Sequence, residues 1–384
     1  MLPGRLEIIS RISAINRDDW NALLPDSNPF LRHEFLSGLE LHGCLTTANG
    51  WQACHFVIRD ETEKLIGAMP AYLKFNSFGE FVFDWSWASA YEEAGLEYYP
   101  KLISAVPFTP VTGPRLLTAR QTNRNGISDA LINAAKEFIN KNELSGFHCL
   151  FPDADNLTSF TENKLLQRSD YQYHWQNDNY QDFEHYLSFF RSQKRKNVRR
   201  ERRHVYDSGI RLRILHGDEM NDEQWQTVFQ YYRSTFMKKG NHPALTYAFF
   251  RHLATTMPRN LVIVLAEYKG QAIAAAINLR SDDRLYGRYW GCEVEFQNLH
   301  FEVCFYAGIE YCINNGLQAF EPGAQGEHKI SRGFLPTETH SMHWIAEPRF
   351  RAAIADFLQR ERQIMQQQRQ QLDRLSPFRH TETT

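Results

Sequence analysis

Short apolar segments separated by polar turns occur in pairs at two places along the chain. Residues 51–59 and 64–74 are rich in aliphatic and aromatic side chains, and the acidic turn Asp60–Glu63 separates them. Residues 261–267 and 271–280 repeat this arrangement around a turn of three residues. Paired apolar runs with a polar turn between them are typical of β-hairpins. We therefore predict one hairpin in each half of the chain.

A helical pattern follows each hairpin. Apolar residues recur every three or four positions in 127–145 and again in 301–313, which is the spacing of one buried helix face. Each pattern ends at a glycine, a common residue at helix C-termini, and a proline follows six residues later. Each half then ends in a strand-like segment with a His-Trp pair, at 174–175 and at 343–344. The shared order of elements indicates an internal duplication. The glycine and proline pairs are Gly146 with Pro152 and Gly316 with Pro322.

The first half has an additional segment, residues 75–113, between its hairpin and its helix. This segment contains the densest aromatic cluster of the chain, and loops of this length are usually functional when they are not disordered. We expect it to form one wall of a ligand site, because aromatic side chains commonly line such sites. The alternative is a flap that covers the core. The residues expected to face the ligand are Trp85, Trp87, Tyr98, Tyr99 and Arg115.

A run of basic residues lies between the two halves. Eight of the thirteen residues from Arg191 to Arg203 are Lys or Arg, and we predict that they form a helix. Most runs of this kind are solvated surfaces. The second interpretation is a phosphate-binding surface, to which we assign Lys194, Lys196 and Arg199.

A glycine-containing loop follows the proline of the second half. Gly323 and Gly326 allow close backbone approach, and the loop leads into a predicted helix, whose N-terminus attracts anions. The next turn carries His328, Lys329 and Arg332, which are suited to bind a phosphate or a carboxylate. The alternative is an ordinary strand-to-helix turn with a solvated basic face.

Composition limits the class of protein. The 384 residues are enough for about two domains, and 42% hydrophobic with 23% charged residues is typical of folded chains. The net charge of -2 gives no general attraction to nucleic acid or membrane. We find no apolar run of about 18 residues, no secretory signal and no paired cysteine motif, so we expect a cytoplasmic protein without a transmembrane segment. The common metal, nucleotide triphosphatase and hydrolase motifs are absent, so we expect no metal and no permanently bound cofactor.

Five segments resemble the Fem-like branch of the GNAT acyltransferase superfamily. More closely, they are similar to bacterial predicted N-acyltransferases that are linked by name to peptidoglycan biosynthesis. The resemblance extends over nearly the whole chain. The segments are Asn28–Leu36, Ala90–Leu102, Val106–Arg115, Gln193–Glu201 and Phe320–Phe334.

The resemblance implies an α/β fold of two tandem GNAT-like units, each a mixed sheet flanked by helices. The expected organisation is a first unit in 1–177 with the aromatic insertion 75–113, a second unit in 178–347, and a C-terminal helix with a frayed polar tail in 348–384.

The resemblance also implies a reaction, the transfer of an activated acyl group to an amine by an N-acyltransferase or aminoacyltransferase. The acceptor would be a small molecule or a cell-wall precursor, and the donor would be acyl-CoA or aminoacyl-tRNA. Two departures leave the donor open: we see neither the long helical arm of the tRNA-dependent Fem ligases nor a clear pyrophosphate loop of acetyl-CoA-dependent enzymes. The alternative function is a non-catalytic module that binds a cell-wall precursor or RNA.

In GNAT-like folds, the strand that corresponds to residues 284–293 supplies a backbone N–H to the acyl carbonyl. Two glycines interrupt this segment here, which predicts a bulge or a close approach of ligand. Acyl transfer to an amine needs a base and an acid. The candidates for the base are Glu293, His300 and Glu302, and those for the acid are Tyr289 and Tyr306; each of them is also compatible with an ordinary surface or core position.

Overall fold

The computed structural model describes residues 4–120, 122–238, 240–323 and 326–379. The chain forms two compact units, the first made of Met1–Asp170 with Glu338–Gln366 and the second of Tyr171–Thr337 with Gln367–Thr384. These boundaries differ from those expected after residues 177 and 347, because a long strand near each position begins in one unit and ends in the other. The end of the expected frayed tail, residues 380–384, lies outside the described residues.

The strands, in chain order, are β1 (Arg5–Ile9), β2 (Trp51–Ala53), β3 (His55–Arg59), β4 (Leu65–Met69), β5 (Tyr72–Lys74), β6 (Lys101–Ser104), β7 (Leu117–Thr118), β8 (Gly146–Leu150), β9 (Leu166–Gln176), β10 (Ile210–His216), β11 (Leu261–Tyr268), β12 (Gln271–Arg280), β13 (Arg284–Cys292), β14 (Ala319–Glu321) and β15 (Leu335–Ile345). The α-helices are α1 (Arg17–Asn21), α2 (His33–Leu41), α3 (Trp85–Glu93), α4 (Arg124–Lys141), α5 (Ala154–Glu162), α6 (Phe183–Ser188), α7 (Ser192–Asp207), α8 (Asp222–Met237), α9 (Tyr247–Thr256), α10 (Leu299–Phe301), α11 (Ala307–Asn314) and α12 (Pro348–Asp373).

The first unit contains two sets of paired strands. One is antiparallel throughout, in the order β1-β3-β4-β7. The other has the order β2-β5-β6-β8-β15, and within it only the β6–β8 pair is parallel. The hydrophobic face of α4, which Asn123 caps at its N-terminus, packs against these strands.

The strands of the second unit have the order β10-β11-β12-β13-β14-β9. All neighbours are antiparallel except β13 and β14, which are parallel. The register between β12 and β13 shifts after Ile277, so that Arg288 is an extra residue on β13. The bulge predicted from the two glycines is therefore present in this strand.

The predicted elements correspond closely to the observed ones. Both hairpins, the helix after each of them, the basic helix α7 and the C-terminal helix α12 are present. Each unit has one parallel strand pair that is joined through a helical segment, β6–α4–β8 in the first and β13–α10–α11–β14 in the second. The mixed α/β architecture is thus confirmed.

The aromatic insertion is shorter than expected. Segment 75–113 includes β6, which pairs within the sheet and occupies the place that β13 occupies in the second unit. The residues of the first unit that have no counterpart in the second unit are therefore mainly those between β5 and β6, which include α3. One face of α3 packs with Phe350, Ile354 and Leu358 of α12 in the core of the first unit.

Within the described ranges, no helix is long and apolar enough to cross a membrane.

Candidate functional site

The parallel strands β13 and β14 separate next to the glycine loop of the second unit. They pair over Arg284–Tyr286 and Ala319–Glu321, and Gly287 and Pro322 follow at the point of separation. A Cβ atom on Gly287 would lie 3.2 Å from Cα of Pro322, so a larger residue would crowd this point. Gly326 has a φ of +118°, which favours glycine. Both observations agree with a loop that needs glycine, although Ala324 and Gln325 lie outside the described residues.

The residues after the loop form a short 3₁₀ turn, Glu327–Arg332, instead of the predicted helix. Lys329 is buried, and its Nζ donates a hydrogen bond to the carbonyl oxygen of Gly323 at 2.7 Å. Burial lowers the pKa of Lys329 to about 8, and the charge of Arg288 acts in the same direction. The structure therefore places one buried amine directly beside the glycine loop. His328 is exposed at the surface of this turn.

Arg332 is engaged inside the second unit. Its Nη2 donates to both carboxylate oxygens of Glu201 at 3.0 Å, and the guanidinium carbon lies 3.4 Å from the centre of the Phe301 ring. Its Nη1 donates to the carbonyl oxygen of His328 at 2.8 Å. We expected Arg332 to bind an anionic ligand, but these contacts make it a link between α7 and the 3₁₀ turn.

Glu302 differs most clearly from its expected role as a base. It is fully buried in a short π-helical turn, and its carboxylate accepts hydrogen bonds from Arg202 at 3.0 Å and from Tyr206 at 3.1 Å. Burial raises the pKa of Glu302, against the opposing effect of Arg202. A carboxylate that is enclosed and paired in this way cannot reach a substrate amine.

Tyr306 and Tyr289 also pack against other residues of the second unit, and Tyr289 is half-buried. Tyr306 is buried, and its hydroxyl donates to Glu201. Tyr289 packs against Tyr232, with ring centres 4.8 Å apart. The buried hydroxyl of Tyr306, which is paired with Glu201, disagrees with the expected role of general acid, whereas for Tyr289 this role stays a prediction.

His300 is the predicted base that lies beside the 3₁₀ turn. It is half-buried, and its ring centre is 5.3 Å from that of Trp290 and 6.3 Å from that of His328. Burial lowers the pKa of His300 to about 4, and the charges of His328, Lys329 and Arg332 contribute. The imidazole is therefore neutral at pH 7. Glu293, in contrast, follows the far end of β13, about 20 Å of extended chain from Gly287.

The basic helix α7 has one buried side and one charged side. Val198 and Val205 are buried, whereas Lys196 and Arg199 are exposed and Lys194 is half-exposed. Arg199 forms a surface ion pair with Glu184. Within the described part of the chain, Lys194 and Lys196 form no ion pair, so they are the members of the predicted set that are available to a ligand.

The aromatic insertion of the first unit forms a pocket of about 420 Å³. Three of the aromatic residues that were expected to face a ligand line it. Trp87 does not: it is buried on the other side of α3, with its ring 4.9 Å from that of His343. The lining residues are Trp85, Ala88, Ser89, Glu92, Leu96, Glu97, Tyr98 and Tyr99.

Arg115 also differs from the expectation that it faces a ligand. It is fully buried, and its guanidinium donates to four carbonyl oxygens of the surrounding backbone. The acceptors, at 2.6 to 3.2 Å, are Val111, Gly113, Pro114 and Leu150. Since the side chain is used to hold this loop together, its role here is structural.

A buried charged cluster in the first unit was not predicted. Lys101 donates to Glu80 at 2.9 Å and also to Asp84, and all three side chains are buried. Asp84 accepts a further hydrogen bond from Tyr98 at 2.6 Å, and Ser77 connects Asp84 to Tyr99. Charge spacing in the sequence contains no signal for this cluster, because β6 and the loop before α3 meet only in the folded chain.

Solved structures with similar folds were found despite low sequence identity. FemX matches with a TM-score of 0.53 at 10% identity, over 91% of this chain and 100% of FemX. The C-terminal domain of a protein assigned as a lysylphosphatidylglycerol synthetase from Agrobacterium fabrum matches with a TM-score of 0.52 at 7% identity, over 89% and 96% of the two chains. A tandem GNAT protein from the clavulanic acid biosynthesis pathway has a TM-score of 0.46 at 12% identity, over 90% and 99%.

The fold expected from the sequence, an α/β fold of two units with mixed sheets flanked by helices, is confirmed. No curated protein sequence matches the chain. The profile of the FemAB-like family, described as peptidoglycan biosynthesis/recognition, matches residues 11–380.

Proposed function

We propose that the chain transfers an activated acyl group to an amine of a cell-wall precursor. The premise is that the chain belongs to the FemAB-like family of peptidoglycan biosynthesis/recognition. The observation that carries this proposal is the position of a neutral, half-exposed histidine in the second unit. His300 lies beside the 3₁₀ turn that follows the separation of β13 and β14.

The reaction requires a proton acceptor. The amine attacks the acyl carbonyl, and the new C–N bond leaves a positive charge on nitrogen until a proton is lost. His300 is the predicted base best placed to take this proton, because it is half-exposed beside the 3₁₀ turn, whereas Glu302 is enclosed. The imidazolium that forms then returns the proton to the leaving group, either the thiolate of CoA or the ribose oxygen of tRNA.

Negative charge develops on the acyl oxygen as the amine attacks. A cation in a buried setting stabilises such charge more strongly than one in water. Lys329 supplies a buried amine beside Gly323, and Arg288 lies on the bulge of β13. We assign to Lys329 the stabilisation of this oxygen or of a donor phosphate. Gly323 and Gly326 allow the donor to approach the backbone here.

The donor is proposed to be acyl-CoA or aminoacyl-tRNA, and the exposed cations of α7 are compatible with the phosphates of either. One experiment separates these donors. The purified protein is incubated with a peptidoglycan precursor and either an acyl-CoA mixture or a charged tRNA mixture, and the precursor is analysed by mass spectrometry. We expect a mass increase equal to one acyl or aminoacyl group with only one of the two donors.

A non-catalytic binding module is the competing function. The buried state of Glu302 and Tyr306 favours it, because two of the residues expected to act on substrate are enclosed. In the same experiment, retention of the precursor by the protein without any mass increase with either donor would establish binding alone and contradict the proposed transfer.

A further inference from the structure

The pocket of the first unit has a wall built on one face of α3. Its lining residues Trp85, Ala88, Ser89 and Glu92 are separated by three, one and three positions, which places them on the same side of a helix. The segment Leu96–Tyr99 forms the other wall as the chain returns towards β6. Ala88 and Ser89 are small, and they leave the space between the walls open. A volume of about 420 Å³ is within the range of small-ligand sites.

The charge of this pocket is negative. Glu92 and Glu97 both line it and are exposed, and the lining contains no Lys, Arg or His. Within the described residues, neither carboxylate forms an ion pair. Two unneutralised carboxylates on opposite walls favour a cation between them.

The aromatic part of the pocket is also suited to a cation. Trp85 is 51% exposed, and its ring centre is 5.2 Å from that of Phe83 and 6.4 Å from that of Phe78. An exposed tryptophan face is the most favourable aromatic surface for an ammonium group. Trp85, Ala88 and Leu96 together offer an apolar surface for the carbon chain that carries the charge.

Hydrogen bonds to the buried charged cluster hold the wall formed by Leu96–Tyr99 in place. Tyr98 donates its hydroxyl hydrogen to Asp84, and the hydroxyl groups of Tyr99 and Ser77 are 2.7 Å apart. Lys101 binds Asp84 and Ser77 within the same buried cluster. The pocket is thus largely pre-formed, which reduces the entropy cost of binding.

We propose that this pocket is a binding site for a primary alkylammonium group. A primary ammonium has three N–H donors, and the carboxylates of Glu92 and Glu97 with the hydroxyl of Ser89 offer acceptors for them. A quaternary ammonium has no donor and is usually enclosed by several aromatic rings. The site lies in the first unit and its recognition of an amine is separate from the chemistry proposed for His300.

The test uses n-pentylammonium as the probe, with n-pentanol and tetramethylammonium as comparison compounds. Ligand-observed saturation-transfer NMR on the full chain at pH 7 and low salt measures each affinity. We expect saturable binding of n-pentylammonium and at least about fivefold weaker binding of both comparison compounds. The double variant Glu92→Gln/Glu97→Gln should weaken n-pentylammonium binding roughly tenfold. Higher salt should weaken it in the wild type and much less in the variant.

Glu93→Gln is the matched control, because Glu93 is an exposed carboxylate on the same helix outside the pocket lining. It should leave the affinity unchanged, and all variants should melt within about 2 °C of the wild type, since exposed substitutions rarely affect stability. Three results would overturn the proposal: no saturable binding of n-pentylammonium, equal binding of n-pentanol, or equal loss of affinity in Glu93→Gln and in the double variant. The measurement uses no acyl donor, so its outcome is independent of the proposed transfer.

Discussion

Glu302 and Glu293 carry the same chemical group in opposite surroundings. Glu302 is fully buried against Arg202, whereas Glu293 is exposed after the end of β13. Removing one member of a buried ion pair leaves the other charge without compensation. We therefore assign Glu302 to stability and not to proton transfer.

Glu302→Ala should lower the free energy of unfolding by about 3 kcal/mol, because Arg202 then loses its buried partner. Glu293→Ala, the matched exposed control, should change it by less than about 0.5 kcal/mol. Urea unfolding of the two variants measures this difference. A Glu302→Ala protein as stable as the wild type would show that the buried pair does not contribute, and would return Glu302 to the list of possible bases.

Lys74 gives a prediction for the pH dependence of stability. It is fully buried, its Nζ donates to the carbonyl oxygen of Phe78 at 3.0 Å, and it lies 4.1 Å from the centre of the Trp51 ring. Burial lowers its pKa from 10.5 to about 7. Between these two values the unfolded chain binds a proton that the folded chain does not, so stability rises with pH in this window.

The wild type should therefore gain stability relative to Lys74→Met as the pH increases from about 7 towards 10.5. Urea unfolding of both proteins at pH 7, 8 and 9 measures the change. A difference between the two proteins that stays constant over this range would contradict a lowered pKa for Lys74.

At the scale of elements, the sequence was informative wherever a hydrophobic period was long. The hairpins and α4 were predictable because each has a continuous buried face, whereas α7 was predicted from its run of basic residues and α12 from apolar residues at helical spacing. The 3₁₀ turn Glu327–Arg332 was not, since six residues contain too few turns to show a period. The burial of Trp87 and Arg115 was not predictable either: the partners of both come from segments distant in sequence, such as His343 and Leu150.

The basic helix α7 allows a test of its proposed role in donor binding. Changing Lys194, Lys196 and Arg199 together to Ala should weaken binding of deacylated tRNA or of CoA, and for tRNA it should reduce the salt dependence of log K by about 2. Stability should change by less than about 1 kcal/mol, because the Arg199–Glu184 pair is exposed. Affinity measured by fluorescence anisotropy at several salt concentrations gives the slope.

The matched control removes three other exposed cations of the second unit, Arg233, Arg259 and Lys269, and keeps α7 intact. This control should retain the salt slope of the wild type. Equal slopes in the wild type and in the α7 variant, or an equal reduction in the control, would contradict a phosphate-binding role for α7.

At the scale of the molecule, the two units share an order of elements but differ in the residues that carry chemistry. The second unit holds the glycine loop, the buried amine of Lys329 and the neutral His300. The first unit holds the aromatic and acidic pocket and the buried Lys101 cluster. The repeat was visible in the sequence, because spacing alone reveals it. The division of roles depends on which polar residues are buried, and this emerges only from the folded units.

Acyl transfer with His300 as proton acceptor predicts that one substitution strongly lowers the rate of donor-dependent product formation. His300→Ala should transfer acyl groups about 10² to 10⁴ times more slowly than the wild type, which is the usual contribution of a general base. His204→Ala, which changes an exposed histidine on α7, should retain the wild-type rate. An active wild type with an unimpaired His300→Ala variant of equal melting temperature would contradict proton transfer to His300.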